Sequence, residues 1–76
     1  MEKYAVATYE IVKLGVLVEA ILELESSAGW LGCCIISSKN IDEIHGLCLA
    51  EAERRAAAVG LKLDRLSEKS SNFRNM

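Results

Sequence analysis

Apolar and polar residues recur with helical spacing over residues 41–59. At 3.6 residues per turn one face of this segment is mostly apolar, and we expect that face to pack on a sheet. Asn40 is a suitable N-cap, Glu43 stands three residues on to complete a capping box, and Gly60 can end the helix. The expected sheet-facing residues are Ile41, Ile44, His45, Cys48, Ala52, Ala56 and Val59.

The opposite side of the predicted helix carries small and apolar residues, where a solvent-facing helix normally carries charged ones. Two interpretations are open: alanine is simply a strong helix former, or a second backbone packs closely against this side. We favour a packed side, because a leucine accompanies the small residues. The residues expected at such an interface are Gly46, Leu47, Ala50 and Ala57.

Three further segments have the composition of strands. Residues 3–12 are rich in Tyr, Val and Ala, and residues 61–66 alternate apolar and charged positions, as a short edge strand does. Residues 30–37 are apolar at both parities, which predicts a strand buried on both faces. In that strand we expect Trp30, Cys34 and Ile36 on one face and Leu31, Cys33 and Ile35 on the other.

Residues 16–25 fit either a strand or a helix. Their Ala, Leu and Glu content favours a helix, but the four charged residues between positions 13 and 25 share one parity, which favours a strand. We therefore predict a strand. Its polar face also holds Leu17 and Ile21 beside Glu19 and Glu23, a mixed surface that we expect at an interface.

These elements predict an α+β fold in the order β-β-β-α-β, with an antiparallel three-stranded meander, one covering helix and a short final strand. A helix at residues 16–27 would instead give β-α-β-α-β. Residues 1–66 are expected to form one domain, and residues 67–76 a disordered polar tail. The element order resembles the partial ribonuclease-H-like unit of small antitoxin domains of the HicB type, a likeness of topology alone.

The size and the charge of the chain limit the classes of partner that we expect it to bind. The chain has 76 residues and is 51% apolar, and a lone domain of this size buries only roughly 60% of its unfolded surface. We therefore expect a homo-oligomer, most simply a dimer. The net charge is −2. The sequence has no basic patch with interleaved aromatic residues, so we do not expect it to bind nucleic acid. Charged residues interrupt every long apolar run, so no membrane span is predicted.

Candidate chemistry is sparse. His45 and Cys48 share a helix face that Cys33 could approach, which makes these three an alternative zinc set, but the usual ligand spacings are absent and we predict no metal and no cofactor. A Cys48–His45 nucleophile pair lacks a third, orienting group, so no catalytic residue and no enzyme activity are expected. Three cysteines without a secretory signal indicate reduced thiols and a cytoplasmic location.

Two functions remain open at this point. The first is a small homo-oligomeric binding or regulatory module that acts through contacts with itself or another protein. The second is a protein that binds or sequesters a small molecule in a pocket between protomers near Tyr9 and Trp30, whose rings suit a planar ligand. We favour the first, because apolar surface in excess of what one helix can cover is the strongest feature of the sequence.

Overall fold

The computed structural model describes residues 4–69, which form one mixed four-stranded sheet with one helix packed on it. The elements are β1 (Tyr4–Lys13), β2 (Val18–Ser26), β3 (Gly29–Ser38), α1 (Ile41–Ala58) and β4 (Lys62–Glu68). The strands lie in the order β3-β2-β1-β4, with β2 antiparallel to β1 and β3, and β4 parallel to β1. The predicted α+β class and β-β-β-α-β order are confirmed, although β4 joins the far side of β1 and does not continue the meander.

The ambiguous segment is a strand, so the alternative order β-α-β-α-β is wrong. Its alternation lets Val18, Leu22 and Leu24 face the helix and become buried, while the glutamates between them stay on the other side. β2 begins two residues later than predicted, because residues 14–17 form the connection from β1. Leu17 therefore lies in this loop and does not lie on a strand face.

The core lies between α1 and one face of the sheet. Burial of each large aliphatic side chain there contributes about 1.5–3 kcal/mol relative to leaving it in water. Alanines on both the sheet and the helix leave room for the two backbones to approach closely. The buried cluster consists of Ala7, Tyr9, Ile11, Val18, Ala20, Leu22, Leu24, Ile44, Cys48 and Ala52, with Cys34, Ile36, Ile41, Leu63 and Leu66 packed against it.

The start of α1 is capped as predicted, with one change in detail. The side chain of Asn40 accepts a hydrogen bond from the backbone N–H of Asp42 at 2.9 Å. The carboxylate of Glu43 was expected to reach the N–H of Asn40, but it accepts from the hydroxyl of Ser38 at 2.9 Å. The Ser38 oxygen in turn accepts from the N–H of Asn40 at 3.1 Å. Ser38 thus relays the capping box through one additional hydrogen bond.

The other end of α1 also follows the sequence signals. Val59 is the C-cap, and Gly60 follows with φ of +75°, the left-handed conformation that favours glycine. The helix is one residue shorter than predicted. Within residues 4–69, no helix combines the length and apolar character that crossing a lipid bilayer requires.

The phase of α1 is confirmed at its centre and wrong at two positions. Ile44, Cys48 and Ala52 are fully buried against the sheet, as is Ala56 one turn later. His45, which was also expected to face the sheet, is exposed at the rim. Val59 is exposed as well, because the chain leaves the helical path at that residue.

A bulge at the start of β3 was not predicted. Glu25 pairs with Trp30 whereas Leu24 pairs with Gly32, so Leu31 is an extra residue without a partner in the β2–β3 register. Gly32 has φ of +132°, which a side chain would oppose. Because of this inserted residue, even-numbered residues before the bulge lie on the same sheet face as odd-numbered residues after it.

The prediction that residues 30–37 are buried on both faces is wrong. β3 is an edge strand, with β2 as its single neighbour in the described sheet. Trp30 and Ile35 are each 63% exposed. Because of the bulge, Trp30 lies on the face of Cys33 and Ile35, whereas strict alternation placed it on the face of Cys34.

The last strand forms the other edge of the sheet, as predicted. It extends through Ser67 and Glu68, beyond the predicted end of the domain at residue 66. The N–H of Lys69 still donates to the carbonyl of Tyr9 at 2.7 Å. Positions 70–76 of the predicted tail lie outside the described residues.

The helix phase can be tested with a matched pair of glutamates. We expect Ala52→Glu to unfold the protein, because an unpaired carboxylate in the core costs several kcal/mol against a total stability of about 5–15 kcal/mol. Ala50→Glu, on the exposed side of α1, should leave the melting temperature nearly unchanged. Thermal unfolding followed by circular dichroism compares the two. Equal melting temperatures would show that the helix packs in a different phase.

Candidate interaction surface

The sheet face that α1 leaves uncovered, here called the open face, is made of rows of side chains that run across the strands. The register of the strands places four such rows side by side. Because neighbours in a row lie about 5 Å apart, each row is a continuous strip of surface. The rows are Trp30, Glu25, Val6 and Arg65; Cys33, Glu23, Thr8 and Ser67; Ile35, Ile21 and Glu10; and Ser37, Glu19 and Lys13.

Apolar surface on the open face is concentrated towards β3. Trp30 and Ile35 are largely exposed, and Ile21, which pairs with Ile35, is partly exposed. On the β1 side of the face, Val6 is also only partly buried. Scattered apolar residues are normal on a protein surface, but the exposed Cys33 lies in the row between Trp30 and Ile35, so the three side chains form a patch along β3.

Charge on the open face is concentrated on β2. Glu19, Glu23 and Glu25 all project from this strand, as the parity of the sequence predicted. The ammonium group of Lys69 crosses β1 to donate to Glu23 at 2.7 Å. That hydrogen bond raises the pKa of Lys69, with smaller contributions from the charges of Glu23 itself, Glu10 and Glu25. The lysine therefore sits in the field of a group of carboxylates.

The predicted interface residues lie on two separate surfaces. Glu19, Ile21 and Glu23 lie on the open face, whereas Leu17 lies in the β1–β2 loop. The four predicted on the helix lie on the side of α1 that points away from the sheet, and all are exposed. They are Gly46, Leu47, Ala50 and Ala57.

The structure does not bring Tyr9 and Trp30 together within one chain. Tyr9 is 4% exposed and lies under α1. Trp30 lies on the open face at the edge of the sheet. Any pocket that used both residues would have to reach both faces of the sheet.

The polar cluster around Tyr9 was not predicted. Its hydroxyl donates to Oε1 of Glu68 at 3.4 Å and lies 3.1 Å from Nδ1 of His45. The rings of Tyr9 and His45 meet edge to face, with centroids 5.7 Å apart. The placement of His45 among the sheet-facing residues of α1 was the one sequence signal that could have suggested this contact. Since a buried hydroxyl needs partners, we interpret the cluster as a tie between β1, α1 and β4.

The cysteines are free and lie in three different environments. Cys33 is exposed on the open face, Cys34 is partly buried on the helix side of β3, and Cys48 is buried in the core. Burial raises the pKa of Cys34, and it raises the pKa of Cys48 to about 11. In the part of the chain that the structure describes, no three His, Cys, Asp or Glu side chains converge as metal ligands, and Cys33 is on the opposite face from Cys48.

A cleft of about 340 Å³ lies beside the C-terminal end of α1. Leu24, Leu31 and Val59 contribute its apolar wall, and the guanidinium groups of Arg54 and Arg55 lie at its side. Both guanidinium groups donate to the carboxylate of Glu51, which lowers the pKa of that carboxyl group. The charges of the two guanidinium groups at the cleft are therefore already paired within the chain.

The tie through Tyr9 can be measured by a double-mutant cycle. We expect Tyr9→Phe to lower the free energy of unfolding by about 1 kcal/mol, the usual net value of one hydrogen bond. His45→Ala should cost less in the Tyr9→Phe background than in the wild type, because the hydrogen bond to the Tyr9 hydroxyl is then already lost and only the ring contact remains. Urea unfolding of the four proteins gives the coupling energy. Strictly additive effects would contradict a direct interaction.

Thiol reactivity should follow the three environments. Thiolates react with aromatic disulfides, and at pH 8 a thiol of pKa about 11 is roughly one part in a thousand ionised. We expect Cys33 to react fast, Cys34 more slowly, and Cys48 only on unfolding. Mass spectrometry of partially labelled protein identifies the sites, and labelling in guanidinium chloride provides the complete reaction as the control. Native Cys48 reacting as fast as Cys33 would contradict the described packing.

Comparison of the chain with protein-family models, with curated proteins and with solved structures found no match.

Proposed function

We propose that this protein is a small homo-oligomeric interaction module, without catalytic activity, that binds through the β3 side of its open face. The observation that carries the proposal is the exposure of Trp30 and Ile35, each 63%, next to the partly exposed Ile21 on the sheet face that α1 does not cover. Aromatic residues surrounded by aliphatic ones are typical of the centre of a protein interface, and the carboxylates of β2 would form part of its polar rim.

A second copy of the chain is the partner that this size of domain favours. One helix covers one sheet face, and a 76-residue chain has little other apolar surface with which to cover the second. Closed two-fold assembly is the commonest way for a small protein to remove such a patch from water. Each 100 Å² of apolar surface removed contributes about 2.5 kcal/mol before the costs of association.

Ligand binding is the weaker alternative. The proposed pocket between protomers needed Tyr9 as well as Trp30, and Tyr9 is held under α1 by its contacts with His45 and Glu68. A ligand could stack on Trp30 alone, but stacking on one exposed ring provides neither enclosure nor oriented polar groups.

We also propose a reducing, cytoplasmic environment. All three cysteines are free, and one of them is exposed on the surface that we assign to binding. An exposed thiol at an interface persists in the cytoplasm, where cellular reductants keep it reduced.

Light scattering at micromolar concentration tests self-association. We expect a mass at least twice that of the 8.3 kDa chain. Trp30 is the only tryptophan of the chain, so its emission should shift to the blue as concentration rises and the ring leaves water. Trp30→Lys combined with Ile35→Lys should lower the mass to that of one chain, because two charges then lie in the contact.

The matched control is Leu47→Lys on the outer side of α1. Leu47 is an exposed leucine, 41% accessible, that lies outside the proposed surface. The mass of this variant should equal that of the wild type. Dissociation by Leu47→Lys, with the open-face variant still assembled, would move the interface to the small-residue side of the helix. A monomer at every concentration would refute the proposal.

A further inference from the structure

We propose that the second copy docks on the edge of the sheet, by antiparallel pairing of β3 with β3 of the other chain, to form one eight-stranded sheet. This inference rests on the proposed function in that the chain must self-associate. It goes further, because it assigns the contact to the backbone of one strand.

The two edges of the sheet differ in the number of charged residues that they carry. An exposed edge strand presents unpaired backbone groups, and proteins normally protect it with charged residues or proline. Over its seven residues β4 carries four charges, at Lys62, Asp64, Arg65 and Glu68. β3 has ten residues, Gly29–Ser38, with neither a charge nor a proline among them. Charges therefore protect the β4 edge along its length, whereas the β3 edge has only the bulge at its start and is regular from Cys33 to Ser38.

The length and the side chains of β3 also favour pairing with another strand. Ten residues at about 3.3 Å per residue span about 33 Å, longer than an average strand. Its aromatic and β-branched residues are Trp30, Ile35 and Ile36, which are types that pair well across strands. Trp30, Cys33 and Ile35 project from it on the open face, and Cys34 and Ile36 are only partly buried on the helix side. A neighbouring strand would cover apolar side chains on both faces at once.

The carboxylates of β2 favour edge pairing over face-to-face stacking of two open faces. Stacking two open faces would bury Glu19, Glu23 and Glu25 from each copy, because β2 is an inner strand of the sheet. Removing these carboxylates from water carries a large penalty that is recovered only by close, fully hydrogen-bonded partners.

Edge pairing leaves the same carboxylates in water. The β2 strands of the two chains are then separated by two β3 strands, that is, by three strand spacings or about 14 Å. This distance exceeds the Debye length of about 8 Å at physiological ionic strength, so repulsion between the two acidic rows is largely screened. The geometry therefore keeps the apolar contact and avoids the electrostatic cost.

Symmetry adds a consequence for the assembled protein. A strand that pairs with its own copy about a two-fold axis must be antiparallel to it, and the axis is perpendicular to the sheet. Both helices then lie on the same side, and the two open faces join into one surface with β3 at its centre. Cross-strand contact between the side chains of the two β3 strands then covers part of each chain's apolar patch at the centre of this joined surface.

Two isoleucines that face each other across β2 and β3 provide the discriminating variants. Ile35 is on the edge strand and its partner Ile21 is on the inner strand, both on the open face. In edge pairing, Ile35→Lys places a charge on the contact strand and should weaken dimerisation at least tenfold, while Ile21→Lys should leave the dimer intact. In face stacking, both variants should dissociate it. Sedimentation equilibrium gives the two dissociation constants.

Hydrogen exchange supplies a readout that concerns the backbone alone. Amides of Gly29–Ser38 that point outward should gain protection as the wild-type concentration rises through the dissociation constant, whereas those of Lys62–Glu68 should not. Ser37→Lys, an exposed polar position of β3, should reduce this gain without removing an apolar side chain. Retained folding of each variant is checked by its circular dichroism spectrum.

The outcomes separate the two proposals. A dimer that shows the expected exchange pattern and survives Ile21→Lys supports edge pairing. A dimer without concentration-dependent protection of β3, or one that Ile21→Lys dissociates, overturns edge pairing and leaves the proposed function standing. A monomer at all concentrations overturns both.

Discussion

A four-stranded sheet has two faces, and within residues 4–69 of this protein a single helix covers one of them. Most other features of the structure follow from that limit. The covered face holds the alternating apolar residues of β1 and β2, such as Ile11 and Leu24, against the buried side of α1. The uncovered face must carry residues that tolerate water, and on β2 it does so with glutamates. On β3 it carries the exposed apolar residues Trp30 and Ile35 instead. This difference between β2 and β3 is the basis of the proposed interaction surface.

The way in which α1 is held also depends on one-sided packing. The helix contacts the sheet through small side chains such as Ala52, and polar links at its start add direction to the apolar contact. Ser38 connects the end of β3 to the cap of α1 through Glu43. Tyr9 connects β1 to His45 on the helix and to Glu68 on β4. Because hydrogen bonds are directional whereas hydrophobic contact is not, these links orient the helix on the sheet.

The two edges of the sheet show how the same fold can treat solvent differently. The charges of β4 keep that edge in water, while the bulge at Trp30 and Leu31 is the one device on β3 that commonly discourages pairing. The bulge occupies the first residues of β3 and leaves the stretch from Cys33 to Ser38 in regular register with β2. The regular part is thus available for pairing, and the bulge limits how far such pairing extends.

Much of the fold was accessible from the sequence, because it is encoded by local periodicity. Asn40 and Gly60 mark the ends of α1, and the spacing of Ile44, Cys48 and Ala52 sets the side that is buried. The common parity of the charged residues on residues 13–25 was sufficient to choose a strand over a helix, and it placed Glu19, Ile21 and Glu23 on one surface of the candidate site.

Tertiary structure alone decided the rest. Apolar residues at both parities of residues 30–37 do not distinguish a central strand from an edge strand, and only the strand order β3-β2-β1-β4 places β3 at the edge. The bulge that moves Trp30 to the open face arises from pairing with β2, and local alternation cannot reveal it. The contact of Tyr9 with His45 joins residues 36 positions apart in the chain. Local pattern determines which face of an element is apolar, whereas the position of that element in the sheet determines whether the apolar face meets protein or water.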